Sequence, residues 1–235
     1  MCGRFTLTVH HIGDIAESIE AWLDPISAAS YRPRFNVAPT DTHWIGREKA
    51  GRRELLPADW GLVNHWATSK SAGAKQINAR AETLSKTPAF RDAYRSRRCV
   101  VPADGFYEWR GPKRAREPIW FHAPDRSLIW LAGLYEGWTD PGTGERHRTF
   151  TIVTTAANAI VAEVHDRMPA LIKRADVASW LAGDDTRALL APAPRESLIG
   201  TLASRRVNSV EHDDPALLDP GDPGATRQLD LFGTR

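Results

Sequence analysis

The chain has 235 residues, of which 42% are hydrophobic and 26% charged, a length and composition that suit a globular protein with a sizeable core. It has no apolar run long enough to span a membrane, and the N-terminus lacks the apolar stretch of a signal peptide, so the sequence predicts a cytoplasmic protein with no membrane partner. The net charge of +2 hides an asymmetry, because residues 1–208 carry 29 basic and 23 acidic side chains, whereas residues 209–235 carry two and six. A basic body is compatible with a polyanionic partner.

The predicted elements, in chain order, are short strands mixed with a few helices. Apolar residues at helical spacing predict helices over residues 14–23, 81–94, 175–181 and 195–203, the second of them split at Pro88. Segments rich in β-branched and aromatic residues predict strands over residues 98–102, 118–122, 127–136 and 148–155. Turns of hairpin length separate the strands, which favours an antiparallel sheet. The chain is therefore predicted to be an α+β protein.

The composition changes near residue 209. The stretch that follows is rich in Asp, Pro and Gly and has too few apolar side chains to order itself, so it predicts a flexible linker. Beyond it, residues 228–232 (Gln-Leu-Asp-Leu-Phe) turn apolar again, which is typical of a peptide that docks on a partner. The sequence thus predicts a folded domain over residues 1–208 and a disordered acidic tail over residues 209–235.

Cys2 is one of two cysteines, and neither it nor Cys99 belongs to a Cys/His cluster with the spacing of zinc ligands, so no metal site is predicted. A small residue after Met1 allows an aminopeptidase to remove Met1. Cys2 would then carry a free α-amine of pKa about 7.7–8.0 beside a thiol of pKa about 8.5. Such an aminothiol condenses with an aldehyde to an imine, which the thiol closes to a thiazolidine ring. On position alone, the simpler interpretation of Cys2 is a small residue at a start site.

Two further segments place titratable side chains where they suit proton transfer. Glu108 lies between Tyr107 and Trp109, and a carboxyl that aromatic neighbours desolvate has a raised pKa. His165 lies in a predicted loop, and histidine exchanges protons near neutral pH. The alternatives are a glutamate exposed on a strand, a structural histidine and, at Arg167, an ordinary surface charge.

A third segment and one tryptophan suit contact with a nucleotide. Asn78 and Arg80 alternate, so in an extended segment they share a face, where an amide and a guanidinium suit a sugar and a phosphate. The alternative is a capping segment in which Glu82 compensates Arg80. Trp66 lies among polar residues and is predicted to be an exposed ring on which a base stacks, whereas Trp60 is predicted to lie in the core.

A set of ordered sequence blocks together resembles one family. The blocks are MCGRF at residues 1–5, RFNVAP at 34–39, WGL at 60–62, NARAET at 78–83, RCVVPADGFYEW at 98–109, TT at 154–155 and HDRMP at 165–169. In this order they resemble the SOS response-associated peptidase (SRAP) family over about residues 1–205. The resemblance implies an α+β fold of antiparallel sheets curled into a barrel-like core with flanking helices.

The resemblance also implies a function and a site. Members of this family shield abasic sites in single-stranded DNA through a thiazolidine crosslink to the N-terminal cysteine, with lyase and self-processing peptidase activity as further expectations. Matching catalytic positions are Cys2, Asn78, Glu108 and His165. Matching DNA-binding positions are Arg4, Asn36, Pro39, Trp66, Arg80, Thr154 and Arg167, with Trp66 at the junction of single- and double-stranded DNA. No cofactor is implied, and the protein would join the nucleoid when bound to DNA.

Two alternatives to the crosslinking function stay open at the level of the sequence. One is a peptidase with an N-terminal cysteine nucleophile that removes its own Met1. The other is a non-covalent binder of single-stranded DNA, which needs no free amine at Cys2. Separately, the tail peptide resembles the short motif with which bacterial DNA polymerases and repair proteins bind the sliding clamp, and its contact positions would be Gln228, Leu229, Leu231 and Phe232. The alternative for this peptide is a frayed terminus.

Overall fold

The computed structural model describes residues 2–112, 116–183 and 186–218 as a strand-rich molecule with short helices at its edges. The strands, β1 to β14 in chain order, are Arg4–Leu7, Trp22–Leu23, Arg34–Val37, Thr42–Lys49, Arg52–Trp60, Asn78–Arg80, Arg98–Ala103, Gly105–Arg110, Glu117–His122, Ile129–Thr139, Arg146–Ala156, Arg167–Pro169, Leu171–Ile172 and Ile199–Leu202. The α-helices, α1 to α4, are Ile12–Ser18, Pro25–Ala28, Pro88–Ser96 and Val177–Ala182. Short 3₁₀ helices are Lys70–Lys75, Ala81–Thr83, Val161–Glu163, Arg174–Asp176, Arg187–Leu190, Arg195–Ser197, Arg205–Asn208 and Pro215–Leu217.

Five strands close into a barrel. Strands β11, β10, β7, β4 and β5 are hydrogen-bonded in that order, and β11 returns to β5 by pairing Thr149 with Asp59 and Phe150 with Trp60. This closing pair is parallel, whereas the other neighbours in the ring are antiparallel. Closure leaves the ring without a free edge. The expectation of an α+β fold with sheets curled into a barrel-like core is confirmed.

A second sheet, in the order β14-β9-β8-β1-β3, carries the N-terminus. Its strand β1 lies antiparallel between β8 and β3. Asp104, between β7 and β8, fixes β1 because its carboxylate accepts hydrogen bonds from the Thr6 hydroxyl and from the backbone N–H and hydroxyl of Thr8. Cys2 precedes β1 by two residues, so this anchor brings it alongside the strand that carries Glu108.

The two sheets share one apolar core. Phe5 of β1 meets Trp60 of the barrel edge-on, with ring centroids 5.0 Å apart, and Trp60 stacks on Phe150 across the closing strand pair. All three rings are at most 1% exposed, as predicted for Trp60. Each aromatic side chain removes roughly 150–250 Å² from water, so this contact binds the second sheet firmly to the barrel.

The strand predictions are confirmed, because the four predicted segments correspond to β7, β9, β10 and β11. The helix predictions hold in part. The first helix ends at Ser18, and α3 begins at Pro88, where the missing proline N–H costs nothing. The helix predicted over residues 195–203 is wrong, since a 3₁₀ turn there gives way to β14, whose backbone pairs with β9. Tertiary pairing thus overrides a weak local preference.

The folded body continues past residue 208. The Asp213 carboxylate accepts hydrogen bonds of 2.6 and 2.9 Å from the backbone N–H groups of Phe35 and Asn36, and Leu217 is fully buried. The boundary predicted at residue 208 therefore falls inside a packed segment that extends to Leu218. The rest of the predicted tail, including the peptide at residues 228–232, lies outside the described residues. In the described part of the chain, no helix has the length and apolar character needed to cross a membrane.

Candidate active site

Cys2 is fully buried in this chain, which still carries Met1. Its carbonyl accepts a 2.7 Å hydrogen bond from the Asn78 amide, so the structure brings these two predicted catalytic residues into contact. Burial raises the pKa of the Cys2 thiol well above its ordinary value, and the nearby Glu108 carboxylate adds to the rise. The thiol is therefore held in its neutral form near physiological pH.

Glu108 is 3% exposed, and this burial raises the pKa of its carboxyl above the ordinary value, while the nearby His165 ring acts in the opposite direction. The predicted desolvation is present, but its predicted cause is wrong. Adjacent residues in a strand point to opposite faces, so Tyr107 and Trp109 lie on the far side of β8, where they belong to a separate apolar cluster. The interior between β8 and the barrel buries the Glu108 carboxyl instead.

His165 follows the 3₁₀ turn Val161–Glu163, which holds it through a 2.9 Å backbone hydrogen bond to Val161. Its Nδ1 accepts a 3.0 Å hydrogen bond from the backbone N–H of Arg167. The Asp166 carboxylate lies 2.9 Å from the same Nδ1 and is largely exposed. Nδ1 thus lies between a backbone donor and a carboxylate acceptor, and these two contacts orient the ring.

Strand β11 gathers the remaining site residues although they are far apart in sequence. Strand β6 pairs with it in parallel, with Asn78 opposite Ile152 and Arg80 opposite Thr154, and β12 pairs with its end through Arg167. Ala79, between Asn78 and Arg80, is fully buried. The prediction that Asn78 and Arg80 share a face of an extended segment is therefore confirmed.

The two arginines beside β11 differ in the number of hydrogen bonds that their side chains make within the protein. Arg80 is exposed and makes no side-chain hydrogen bond or ion pair with the described residues. Arg167 donates to both carboxylate oxygens of Glu82, at 2.7 and 2.9 Å, and to the carbonyl of Thr154. These hydrogen bonds hold the pKa of Glu82 below its ordinary value. Glu82 thus makes its hydrogen bonds to Arg167, while the nearby Arg80 charge also lowers the pKa of Glu82, as in the alternative in which Glu82 compensates Arg80.

Arg4 and Asn36 serve the fold. The Arg4 guanidinium donates to the Asn36 side-chain oxygen at 2.8 Å and to the Val207 carbonyl at 2.7 Å. Asn36 is 1% exposed, and its amide nitrogen donates to three carbonyls of the C-terminal segment. The amide donors of Asn36 are therefore used inside the protein, and a DNA contact at Asn36 stays a prediction.

The other predicted DNA-binding residues lie in varied surroundings. Trp66 is 52% exposed, as predicted, and its ring contacts His65 edge-on. Pro39 is partly exposed and precedes Thr40, whose φ of 76° marks a tight turn. Thr154 is fully buried, and its hydroxyl has no hydrogen-bond partner among the described residues. Only Trp66 and Pro39 of these three therefore present side-chain surface to solvent.

Two carboxylates that organise the site were missed from the sequence. Asp104 fixes β1, and Glu82 orients Arg167. Asp104 stands inside a recognised block, but its partner Thr6 lies 98 residues away. The separation of Glu82 from Arg167 is 85 residues. The spacing of neighbouring residues in the sequence cannot predict contacts between residues that lie so far apart in the chain.

The fold and the site together define a class of protein in which the residue after the initiator methionine is a cysteine, held by a closed strand barrel beside a buried glutamate and a histidine. The family model described as SOS response associated peptidase (SRAP) matches residues 1–210, and the chain belongs to this family.

Relatives and solved structures match nearly the whole chain. It is 36% identical to the abasic site processing protein YoqW of Bacillus subtilis over 227 residues, which cover 93% of this chain and 99% of that protein. It is 27% identical to the abasic site processing protein YedK of Escherichia coli, covering 94% of this chain and 100% of YedK. A crystal structure of a protein from Bacteroides thetaiotaomicron matches with a TM-score of 0.83 and 25% identity, over 92% of this chain and 98% of that one.

Proposed function

We propose that this protein, once Met1 is removed, forms a covalent adduct between Cys2 and the aldehyde of an abasic site in single-stranded DNA. The observation that carries the proposal is the anchoring of Cys2 by Asn78 beside the buried Glu108. The names of its relatives, abasic site processing proteins that match over nearly the full chain, support the substrate. Exposed Arg80 and Trp66 provide a cation and a ring for the flanking nucleotides.

The proposed chemistry balances without a cofactor. The neutral α-amine of Cys2 attacks C1′ of the ring-opened deoxyribose, and loss of one water gives an imine. The Cys2 thiol then adds its sulfur to the imine carbon, and its proton ends on the nitrogen, which closes the thiazolidine. Because the aldehyde carbon is then held in the ring, the acidic position that begins strand breakage by β-elimination is deactivated. The same steps in reverse, with water added back to the imine, would release the DNA with its abasic site intact and its strand unbroken.

Each neighbour of Cys2 has a proposed task. A protonated Glu108 donates to the ring oxygen of the closed sugar and to the oxygen that leaves as water, and its raised pKa keeps the proton available closer to neutral pH. His165, whose ring is oriented by the Arg167 N–H and the Asp166 carboxylate, exchanges protons with the reacting groups. Asn78 positions the main chain of Cys2, so that the amine faces the aldehyde.

The test is a denaturing gel of protein lacking Met1 with a single-stranded oligonucleotide that carries one abasic site. Wild type should give a heat-stable shifted band, and Cys2→Ala should give none. Cys2→Ser keeps the amine but loses the thiol, so it should give a band only after borohydride reduction of the imine. Cys99→Ala is the matched control, because Cys99 is also fully buried but has no α-amine. A heat-stable wild-type level of adduct with Cys2→Ser, or none with wild type, would contradict the proposal.

A peptidase acting on Met1 is the second candidate, because the family description names a peptidase and Glu108 lies near Cys2. Protein synthesised in a purified translation system without aminopeptidase separates the two. If the chain removes its own Met1, the intact mass should fall by one methionine in wild type and stay constant in Glu108→Gln. A constant mass in both would exclude self-processing and leave Met1 removal to another enzyme. If the protein is only a non-covalent binder of single-stranded DNA, one alanine inserted before Cys2 should leave its DNA affinity unchanged, and neither the wild type nor this variant should form a heat-stable adduct.

A further inference from the structure

A polar cavity of about 700 Å³ lies at the start of β11, away from Cys2. Five cations line it, and we call them the arginine pocket: Arg47, Lys49, Arg97, Arg146 and Arg148. They come from the end of β4, the start of β11 and the turn after α3, so three separate elements converge on one concave surface.

The positive charge of the arginine pocket is only partly neutralised. Arg47 pairs with Glu54 at 2.8 Å, and Arg97 pairs with Glu136 at 3.0 Å. Lys49, Arg146 and Arg148 are exposed and form no ion pair within the described part of the chain. Glu48 also lines the cavity and lies 3.8 Å from Arg53. The three cations without an ion-pair partner outnumber this carboxylate and leave a local positive potential that attracts anions.

The repulsion between the cations of the arginine pocket is clearest at Arg148. Its only side-chain hydrogen bond among the described residues is a 3.2 Å contact with the Pro57 carbonyl. Desolvation lowers the pKa of its guanidinium, and repulsion from Arg47 lowers it further. Since a bound anion would offset the repulsion between Arg148 and Arg47, the pocket is better suited to an occupied than to an empty state.

The arginine pocket adjoins the loop that presents Trp66. Glu136 forms part of the pocket wall, and its carboxylate lies 3.6 Å from the His65 ring, next to Trp66. Trp138, one strand position beyond the pocket, donates a 2.8 Å hydrogen bond to the Ala67 carbonyl. A polyanion that passes Trp66 would therefore meet the arginine pocket next.

The distance from the proposed crosslinking site sets the length of that polyanion. Arg148 and Thr154 lie six residues apart on β11, which is about 20 Å at roughly 3.3 Å per strand residue. In a duplex that rises about 3.4 Å per base pair, this corresponds to about six base pairs. We propose that the arginine pocket binds the phosphate backbone of a double-stranded arm that starts beside the lesion and runs past Trp66, and that it does so at about the sixth base pair from the lesion. The inference rests on the proposed function for the position of the lesion, but not for the binding itself.

The test measures non-covalent binding by fluorescence anisotropy, so it does not depend on crosslinking. The DNA carries a tetrahydrofuran residue, an abasic analogue without an aldehyde, and a duplex arm of 4 or 12 base pairs on its 5′ or its 3′ side. The double variant Arg146→Gln, Arg148→Gln should bind one of the two 12-base-pair substrates about fivefold to tenfold more weakly than wild type. On that substrate, the slope of the logarithm of the binding constant against the logarithm of the salt concentration should decrease in magnitude by about 1.8, as expected for two lost phosphate contacts.

Three comparisons make the result specific. Binding of the 4-base-pair substrates should be unchanged, because these arms end before the pocket. Lys173→Gln, Arg187→Gln removes the same charge from exposed positions elsewhere and should bind every substrate as wild type does. Equal melting temperatures would show that both double variants are folded. Unchanged affinity for both long arms, or an equal loss with the short arms or in the control variant, would overturn the inference. If wild type forms no crosslink but keeps the predicted dependence on arm length, the proposed function fails and the pocket assignment stands.

Discussion

The Cys2 site and the arginine pocket lie toward opposite ends of β11 and use charge in opposite ways. At the Cys2 site, the thiol and the Glu108 carboxyl are withdrawn from water, and burial raises the pKa of both. At the arginine pocket, Arg146 and Arg148 are exposed, and their charges remain unpaired. One region therefore keeps protons on groups that would otherwise lose them, and the other offers fixed charge to a partner.

The two regions respond to different measurements. Interactions between exposed charges are screened over about 8 Å at physiological salt, whereas buried groups are screened much less. A change at the arginine pocket should therefore alter affinity and its salt dependence. A change at the Cys2 site should alter the rate of adduct formation and its pH dependence. Each variant of the folded body described below should change one of these two readings and leave the other unchanged.

Glu108→Gln should have the largest effect on the chemistry. A positioned general acid contributes roughly 10²–10⁴-fold to a rate, and Gln cannot donate the proton, so the single-turnover crosslinking rate should fall at least about 100-fold. Affinity for the tetrahydrofuran DNA should stay within about twofold of wild type. Glu117→Gln, a partly exposed carboxylate on the neighbouring strand β9, is the matched control. A rate within about threefold of wild type would remove Glu108 from the mechanism.

The raised pKa of Glu108 also predicts two pH dependences. The crosslinking rate of wild type should fall on the acid side as the Cys2 amine is protonated, and on the alkaline side as Glu108 loses its proton. For stability, the folded state holds the Glu108 proton more tightly than the unfolded state, so the free energy of unfolding should fall as pH rises from the ordinary toward the raised pKa. Glu108→Gln should lose the alkaline limb of the rate profile and gain melting temperature relative to wild type as pH rises. An alkaline limb that persists in this variant would assign it to another group.

Asn78→Ala should have an intermediate effect. It removes the 2.7 Å hydrogen bond to the Cys2 carbonyl, and a hydrogen bond of about 1 kcal/mol that orients the nucleophile corresponds to a loss in rate of about fivefold. Single-turnover crosslinking measures it. Asn208→Ala, at an exposed position outside the site, should leave the rate unchanged. An unchanged rate in Asn78→Ala would show that the strands position Cys2 without this contact.

Trp66→Ala should act on affinity and spare the chemistry. Stacking of a base on an aromatic ring contributes about 1–3 kcal/mol, and a half-exposed ring should reach the lower end, so binding to junction DNA should weaken about fivefold. At saturating protein, the crosslinking rate should match that of wild type, and Trp66→Phe should restore most of the affinity. Trp22→Ala removes a comparably exposed ring, at 47%, from the edge strand β2 and serves as the control. Equal losses at both positions would argue against a specific stack at Trp66.

The sequence predicted the strands well because β-branched and aromatic residues concentrate in β7, β9, β10 and β11. It could not predict how the barrel closes, since the closing pair joins Thr149 to Asp59 across about 90 residues. Composition also misjudged the segment after residue 208. A stretch rich in acids and proline favours disorder, yet Asp213 finds two backbone N–H groups on β3, and Leu217 finds an apolar pocket. The average composition of a segment cannot show that one of its carboxylates has a specific hydrogen-bond partner that orders the segment.

The candidate site shows the same division. Sequence blocks identified Cys2, Asn78, Glu108 and His165, and the structure brings Asn78 against Cys2 and places Glu108 near both Cys2 and His165. The role of Asn36 could not be judged in this way, because its partners are carbonyls of a segment more than 170 residues away. The arginine pocket left no local signal either, since its cations come from three separate elements. The sequence thus predicted which residues belong to the site. It did not predict their hydrogen-bond partners, which decide whether a side chain is available for DNA or is used within the fold.

The tail peptide should have the smallest effect on both regions. Residues 228–232 lie outside the described residues, and the proposed sliding-clamp contact rests on the order Gln228, Leu229, Leu231, Phe232. Leu231→Ala, Phe232→Ala should abolish retention on immobilised clamp, because these side chains would fill the apolar pocket of the clamp. Crosslinking rate and DNA affinity should stay within about twofold of wild type, since the catalytic groups and the arginine pocket lie in the described body. Asp230→Asn keeps the apolar pair and should still bind. Clamp retention that survives loss of both side chains would leave the peptide without a role, whereas a slower crosslinking rate would mean that the tail reaches the Cys2 site.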